Sequence, residues 1–122
     1  MKIRIKGNSL RIRLSRSEVD KLALEGYLQE QTSFGNNELV YALQVRAGKE
    51  HLSAEFTGSK ITMYVQESLI KDWPVSATVG FDYRMPLTGA GSLHLLLEKD
   101  FVCIDATTED QSDHYENPNK TC

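Results

Sequence analysis

Six basic side chains and no acid stand in the first sixteen residues: Lys2, Arg4, Lys6, Arg11, Arg13 and Arg16. Most alternate with apolar residues, Ile3 and Ile5 in one run and Leu10, Ile12 and Leu14 in the next. Period two over a short run is the signature of a half-buried strand, so the cations of each run share one face. Between the runs lies Gly7-Asn8-Ser9, whose residue types suit a tight turn. A basic face of this kind can hold phosphates or pair arginine with guanine edges. It can equally neutralise the carboxylates of an acidic protein, or of this chain's own tail.

The remainder of the chain pulls the other way. The net charge is −3, from 14 basic and 17 acidic residues, so the positions after Arg16 hold 8 bases against all 17 acids. From Glu98 onward come Glu98, Asp100, Asp105, Glu109, Asp110, Asp113 and Glu116, opposed by Lys99 and Lys120. The isoelectric point near 5.6 lies far below the basic footprint expected of a DNA-binding domain. The basic head and acidic tail are the electrostatic feature that any function must accommodate.

Metal and catalytic chemistry find less support. Asp105, Thr107, Glu109, Gln111, Asp113 and Glu116 follow the ligand spacing of a calcium loop, but Asp110 occupies the position that such a loop reserves for glycine. His114 adds a softer ligand beside Asp113 and Glu116. A solvated polar tail explains these residues more simply, and no metal or cofactor is expected. The three histidines, His51, His94 and His114, are scattered one per region, and Ser9 and Ser59 lack a nucleophile elbow. Cys103 sits in Phe101-Val102-Cys103-Ile104 and reads as an inert buried thiol, Cys122 as an exposed terminal one. The chain therefore reads as non-enzymatic. The enzyme class with most structural plausibility is a triphosphate-tunnel barrel, but its first strand needs carboxylates where Lys2, Arg4 and Lys6 stand.

The elements that must position the basic face repeat themselves. Gly7, Leu10, Leu14 and Leu22 recur as Gly58, Ile61, Val65 and Trp73, each 51 positions later. A repeat of that length is one supersecondary unit that shares its core with its copy. The first unit, 2–46, reads as a hairpin, a helix capped by Ser15 or Ser17 and stopped at Gly26, then strands 27–34 and 39–45. The second unit, 51–98, repeats the order, with a helix over 67–73 ended by Pro74 and a strand over 93–97 apolar enough for burial on both faces. A last short strand is predicted at 101–104, and residues 105–122 read as an acidic polar tail.

Two ββαββ units make eight strands, and sheets of that size commonly close to remove exposed edges. The expectation is an all-β fold with two short helices, forming a single closed antiparallel β-barrel over residues 1–104. Trp73 is expected to plug its core.

The run Lys6-Gly7-Asn8-Ser9-Leu10-Arg11-Ile12-Arg13-Leu14-Ser15, followed by Glu18, Val19 and Leu22, resembles the swapped-hairpin domains of the AbrB/MazE type. Residues 61–73 resemble a weaker second copy, with Thr62 and Tyr64 in place of Arg11 and Arg13. The resemblance implies hairpins interlaced within one chain as a fused pseudo-dimer, either monomeric or weakly dimeric. It also implies DNA binding and transcriptional regulation through Lys6, Asn8, Ser9, Arg11 and Arg13. Glu98-Lys99-Asp100-Phe101 and the 109–113 segment also resemble a family of uncharacterised bacterial proteins, which brings no activity with it.

Composition sets the outer bounds. At 122 residues, with 40% hydrophobic and 25% charged side chains, the chain is one ordinary globular domain. No apolar run approaches the length of a membrane span, and the alternating N-terminus lacks the apolar core of a signal peptide. A cytoplasmic location and no membrane partner are expected.

Overall fold

The computed structural model describes residues 1–101 with the exception of Ala90. Eight strands form: β1 Lys2–Ile5, β2 Ser9–Leu14, β3 Tyr27–Ser33, β4 Glu38–Arg46, β5 Leu52–Thr57, β6 Lys60–Gln66, β7 Gly80–Pro86 and β8 Ser92–Lys99. Two helices interrupt them, α1 Arg16–Glu25 and α2 Glu67–Ile70, the latter followed by a single 3-10 turn at Trp73–Val75.

The two units interlace. One sheet has the order β1-β2-β8-β7 and the other β3-β4-β6-β5, so each takes one hairpin from either unit. The duplication extends to single hydrogen bonds. His94 N–H donates to Asn8 C=O at 3.0 Å, and its counterpart Val40 N–H donates to Ser59 C=O at 3.0 Å. Likewise Val45 N–H meets Gly26 C=O and Lys99 N–H meets Val79 C=O, each at 2.9 Å. Gly7 and Gly58, 51 positions apart, both turn their hairpins at φ 54°, a conformation that a side chain disfavours.

The closed antiparallel barrel expected from the strand count does not form. Within each sheet the two hairpins join through a parallel ladder, β2 beside β8 and β4 beside β6. A parallel join needs a long connection, and here most of the chain lies between β2 and β8. The sheets pack face to face without a ladder between them. At the β5–β7 margin the cross-contacts include Ala54 N–H reaching Met85 Sδ at 3.5 Å and the His51 and Tyr83 rings at 6.3 Å. At the β1–β3 margin the Met1 ammonium bridges to Glu30. These are side-chain and terminal contacts, and they do not continue the backbone pairing that closure requires.

The inner faces supply the core. Ile12, Leu14, Leu43, Leu52, Met63, Val65, Leu95 and Leu97 are fully buried, with Val19 and Leu22 of α1 and Trp73 from beyond α2. Trp73 plugs the core as predicted: its ring tilts against Phe81 at 5.1 Å, and its Nε1–H donates to Thr78 C=O at 2.9 Å. In β8, Leu95 and Leu97 are buried but Leu93 and Leu96 are only half-buried, so the strand is not covered on both faces as its composition suggested. The other sheet face lies open to solvent beside Leu96.

The helices differ because their caps differ. Ser15 Oγ accepts from Glu18 N–H and the Glu18 carboxylate accepts from Ser15 N–H, a reciprocal capping box, and Gly26 closes the helix in the left-handed region. The position equivalent to Ser15 is Gln66, which makes no side-chain cap, and Pro74 follows. The second helix is accordingly four residues, against a predicted run over 67–73. No described helix is long and apolar enough to cross a membrane. The predicted strand at 101–104 and the tail, with Cys103 and Cys122, lie outside the described residues apart from Phe101, which is in no element.

Candidate functional site

The basic residues of the N-terminal hairpin converge on the outer face of the β1-β2-β8-β7 sheet. Strand alternation places Lys2 and Arg4 on that face of β1, and Arg11 and Arg13 on that face of β2. The register then builds three cross-strand rows: Lys2, Arg13, Glu98 and Gly80; Arg4, Arg11, Leu96 and Asp82; and Ser9, His94 and Arg84. Five cations thus share one face with two carboxylates. An open depression of about 400 Å³ is lined by Lys2, Ile3, Arg4, Arg11 and Arg13.

The arrangement carries electrostatic tension. Lys2 lies directly opposite Arg13, and Arg4 directly opposite Arg11. Like charges so placed destabilise a ladder. Relief comes from the neighbouring strand: Glu98 Oε1 lies 3.4 Å from the Nε of both Arg11 and Arg13. Asp100 Oδ2 lies 2.8 Å from Lys2 Nζ. At 3.4 Å the Glu98 contacts are long, and the side chains are 25–38% exposed. Pairs of that kind contribute at most about 1 kcal/mol. Arg4 and Lys6 have no ion-pair partner among the described residues.

Glycine shapes the middle of the first row. A Cβ at Gly80 would sit 2.4 Å from Leu97 O, 2.9 Å from Glu98 Cα and 3.0 Å from Glu98 Cγ. Any side chain there would displace Glu98. The bare position lets β7 approach β8 and leaves the Glu98 side chain room beside the arginines.

The five residues predicted as a site are brought together, but not in equal roles. Arg11 and Arg13 project side by side from β2. Lys6 is exposed in the turn. Ser9 opens β2 opposite His94, and its carbonyl accepts from Lys6 N–H at 3.1 Å. Asn8 is occupied structurally: its Nδ2–H donates to Ser92 C=O at 2.8 Å, tying the hairpin tip to the start of β8. That bond uses one of the two amide hydrogens and leaves Oδ1 at the exposed tip. Sequence reasoning missed Arg84, Asp82, His94 and Glu98 as members of the face. Asp82-Tyr83-Arg84 does alternate, but only the strand order places β7 and β8 beside β2.

Other regions offer little chemistry. A depression of about 620 Å³ lies between α1, the turn at Trp73–Val75 and the end of β8. Its described lining includes Val19, Val75, Lys99 and Phe101 but no histidine or cysteine to serve as base or nucleophile. No group of three metal-ligating side chains exists among the described residues. Asp105, Glu109, Asp113, His114 and Glu116 lie outside them.

The model of a family of unknown function, DUF7009, matches residues 1–119, and the chain belongs to that family. Comparison with curated proteins and with solved structures returned no match in either case.

Proposed function

We propose that this member of the DUF7009 family is a non-catalytic nucleic-acid-binding module, regulatory in kind, that holds duplex DNA against the outer face of β1-β2-β8-β7. The observation that carries the reading is the pair of like-charge rows, Lys2 against Arg13 and Arg4 against Arg11, on an exposed sheet face. That repulsion works against folding, and a polyphosphate ligand would relieve it. Arg84 on β7 and Lys6 in the turn extend the cationic area at its margins. The exchange of hairpins between two units, expected from the AbrB/MazE resemblance, supports the reading at the level of architecture.

In this reading Lys2, Arg4 and Lys6 meet phosphates. Arg11 and Arg13, with planar forks, meet phosphates or guanine edges. Asn8 and Ser9 hold the hairpin in register with β8. Five phosphate contacts give a salt slope of roughly −4 to −5 in log–log form, hence weak binding at physiological salt and firmer binding below it. Fluorescence anisotropy on a 20-base-pair duplex, titrated through salt, tests this. Micromolar affinity at low salt, lost in Arg11→Ala with Arg13→Ala, is the expected result; no binding at any salt would remove DNA as the ligand.

A second reading, an acidic protein partner, draws on the carboxylates already present. Glu98 and Asp100 contact Arg11, Arg13 and Lys2, so the face accepts carboxylate groups in the geometry it has. A glutamate-rich peptide in place of the duplex separates the two readings.

A further inference from the structure

The geometry points to Glu98 as the specificity-determining residue of the basic face, a resident carboxylate that makes the site reject isolated carboxylate ligands and admit phosphodiesters. This inference rests on the nucleic-acid reading above and sharpens it.

Glu98 sits in the first row between Arg13 and Gly80, with Arg11 diagonal to it. One of its oxygens is equidistant, 3.4 Å, from the Nε of both arginines. It therefore occupies the position between the two forks that an incoming anion must take. Gly80 stands directly across the ladder from Glu98. A β-carbon there would meet the Leu97 carbonyl oxygen and the Cα and Cγ of Glu98, so β7 passes close to the β8 backbone and no side chain faces Glu98 from that side. Asp82 and Arg84, the other β7 residues on this face, stand opposite Leu96 and His94.

The energetic consequence follows from what each ligand offers. A carboxylate from a partner exchanges like for like with Glu98 and must also lose its own freedom, while Glu98 is already tethered. Such an exchange gains nothing. A duplex carries one charge per about 1.7 Å and releases condensed counterions when the arginines engage its phosphates, a larger gain than a glutamate-rich chain gives with its carboxylates about 3.3 Å or more apart along the backbone. Glu98 thus raises the threshold for every anion, but only the polyphosphate clears it. Lys2 behaves similarly at the edge of the face, where Asp100 holds its ammonium at 2.8 Å.

The test compares Glu98→Gln with the unaltered chain against two probes, a 20-base-pair duplex and a poly-glutamate peptide, by anisotropy at several salt concentrations. Glutamine keeps the shape and removes the charge, and a urea melt of each protein checks that the fold is unchanged. The expected result is a gain of about threefold to tenfold for the duplex, the size of losing one or two part-exposed ion pairs. Poly-glutamate, undetectable with the unaltered chain, becomes measurable with Glu98→Gln. Equal duplex affinities, with poly-glutamate still unbound by both proteins, would overturn the role of Glu98 and leave DNA binding standing. Poly-glutamate bound by the unaltered chain as tightly as the duplex would also overturn it. Absence of duplex binding by both proteins at the lowest salt would overturn the inference together with the reading beneath it.

Discussion

The two sheets of this molecule share an architecture and differ in what they do with their outer faces. In β3-β4-β6-β5 the polar groups satisfy one another. Lys60 Nζ donates to Tyr27 Oη at 3.0 Å, and Tyr27 donates to Gln29 at 2.6 Å. Tyr64 donates to Glu55 at 2.6 Å, while the Arg46 guanidinium lies 3.8 Å above the Tyr64 ring and also donates to Ser53 Oγ. The hydrogen bond to Glu55 accordingly raises the Tyr64 phenol above its ordinary value of 10.0. In β1-β2-β8-β7 the equivalent positions carry Lys2, Arg4, Arg11 and Arg13, and among the described residues Glu98 and Asp100 pair with them. Duplication conserved the half of each strand that builds the core. The other half diverged, so one outer face is built of mutually bonded polar groups and the other of closely set cations.

The comparison can be broken first at the ligand. Arg11→Ala with Arg13→Ala is expected to lower duplex affinity at least tenfold, while Thr62→Ala with Tyr64→Ala, at the equivalent positions, leaves it within twofold; each missing bidentate contact is worth about 1–3 kcal/mol. Equal losses from both pairs would erase the functional distinction between the sheets.

The shared core makes the opposite prediction, of sameness. Ile12 and Met63 occupy equivalent positions and both are 0% exposed. Ile12→Ala and Met63→Ala should each cost about 2–5 kcal/mol in urea unfolding. A large cost at one site alone would show that the halves do not share the core equally.

A smaller effect separates the two helices. Removing the Ser15 cap by Ser15→Ala should cost about 1 kcal/mol. Gln66→Ala, at the equivalent uncapped position, should cost much less by the same measurement. Finally, Glu18 ties the capping box to the chain's N-terminus. Partial burial disfavours the Glu18 charge, but hydrogen bonds from the Met1 ammonium and from Ser15 outweigh it and hold the carboxyl below its ordinary 4.5. Burial likewise opposes the Met1 ammonium, and hydrogen bonds to Glu18 and Glu30 overcome it, raising that group above 8.0. A lowered carboxyl stabilises above 4.5 and loses that contribution as pH falls through its folded value. A raised amine stabilises below 8.0 and loses its contribution as pH rises through its folded value. The stability difference between the unaltered chain and Glu18→Gln should therefore be widest between 4.5 and 8.0 and narrow on either side. A difference that stays flat from well below 4.5 to well above 8.0 would detach Glu18 from the N-terminus.

Much of this was legible in the residues, and what was not has a physical reason. Alternation at Leu10-Ile12-Leu14 and Ile61-Met63-Val65 located both inner strands, and Ser15 and Gly26 placed the limits of the first helix, whereas the second ends at Ile70, short of Pro74. Local patterns of this kind are set by neighbours in the chain. Closure was misjudged because strand count alone does not say whether edges pair; β1 and β3 meet through the Met1 ammonium and Glu30, with no ladder between them. The parallel joins escaped because the partners β2 and β8 are separated by most of the chain. The same distance hid Glu98 and Arg84 from the site, while Arg11 and Arg13, neighbours on one strand, were visible from spacing alone. Asn8 acquires a partner that its neighbours in the chain do not show: Ser92, brought to it by the fold, accepts from its amide.

The most direct test of the account is a backbone amide chemical-shift titration with a short duplex at low salt. Shifts are expected for Arg4, Arg11, Arg13, Arg84 and Glu98, with Gln29, Thr62 and Tyr64 on the opposite sheet unmoved. Shifts centred on the opposite sheet, or none on either, would contradict it.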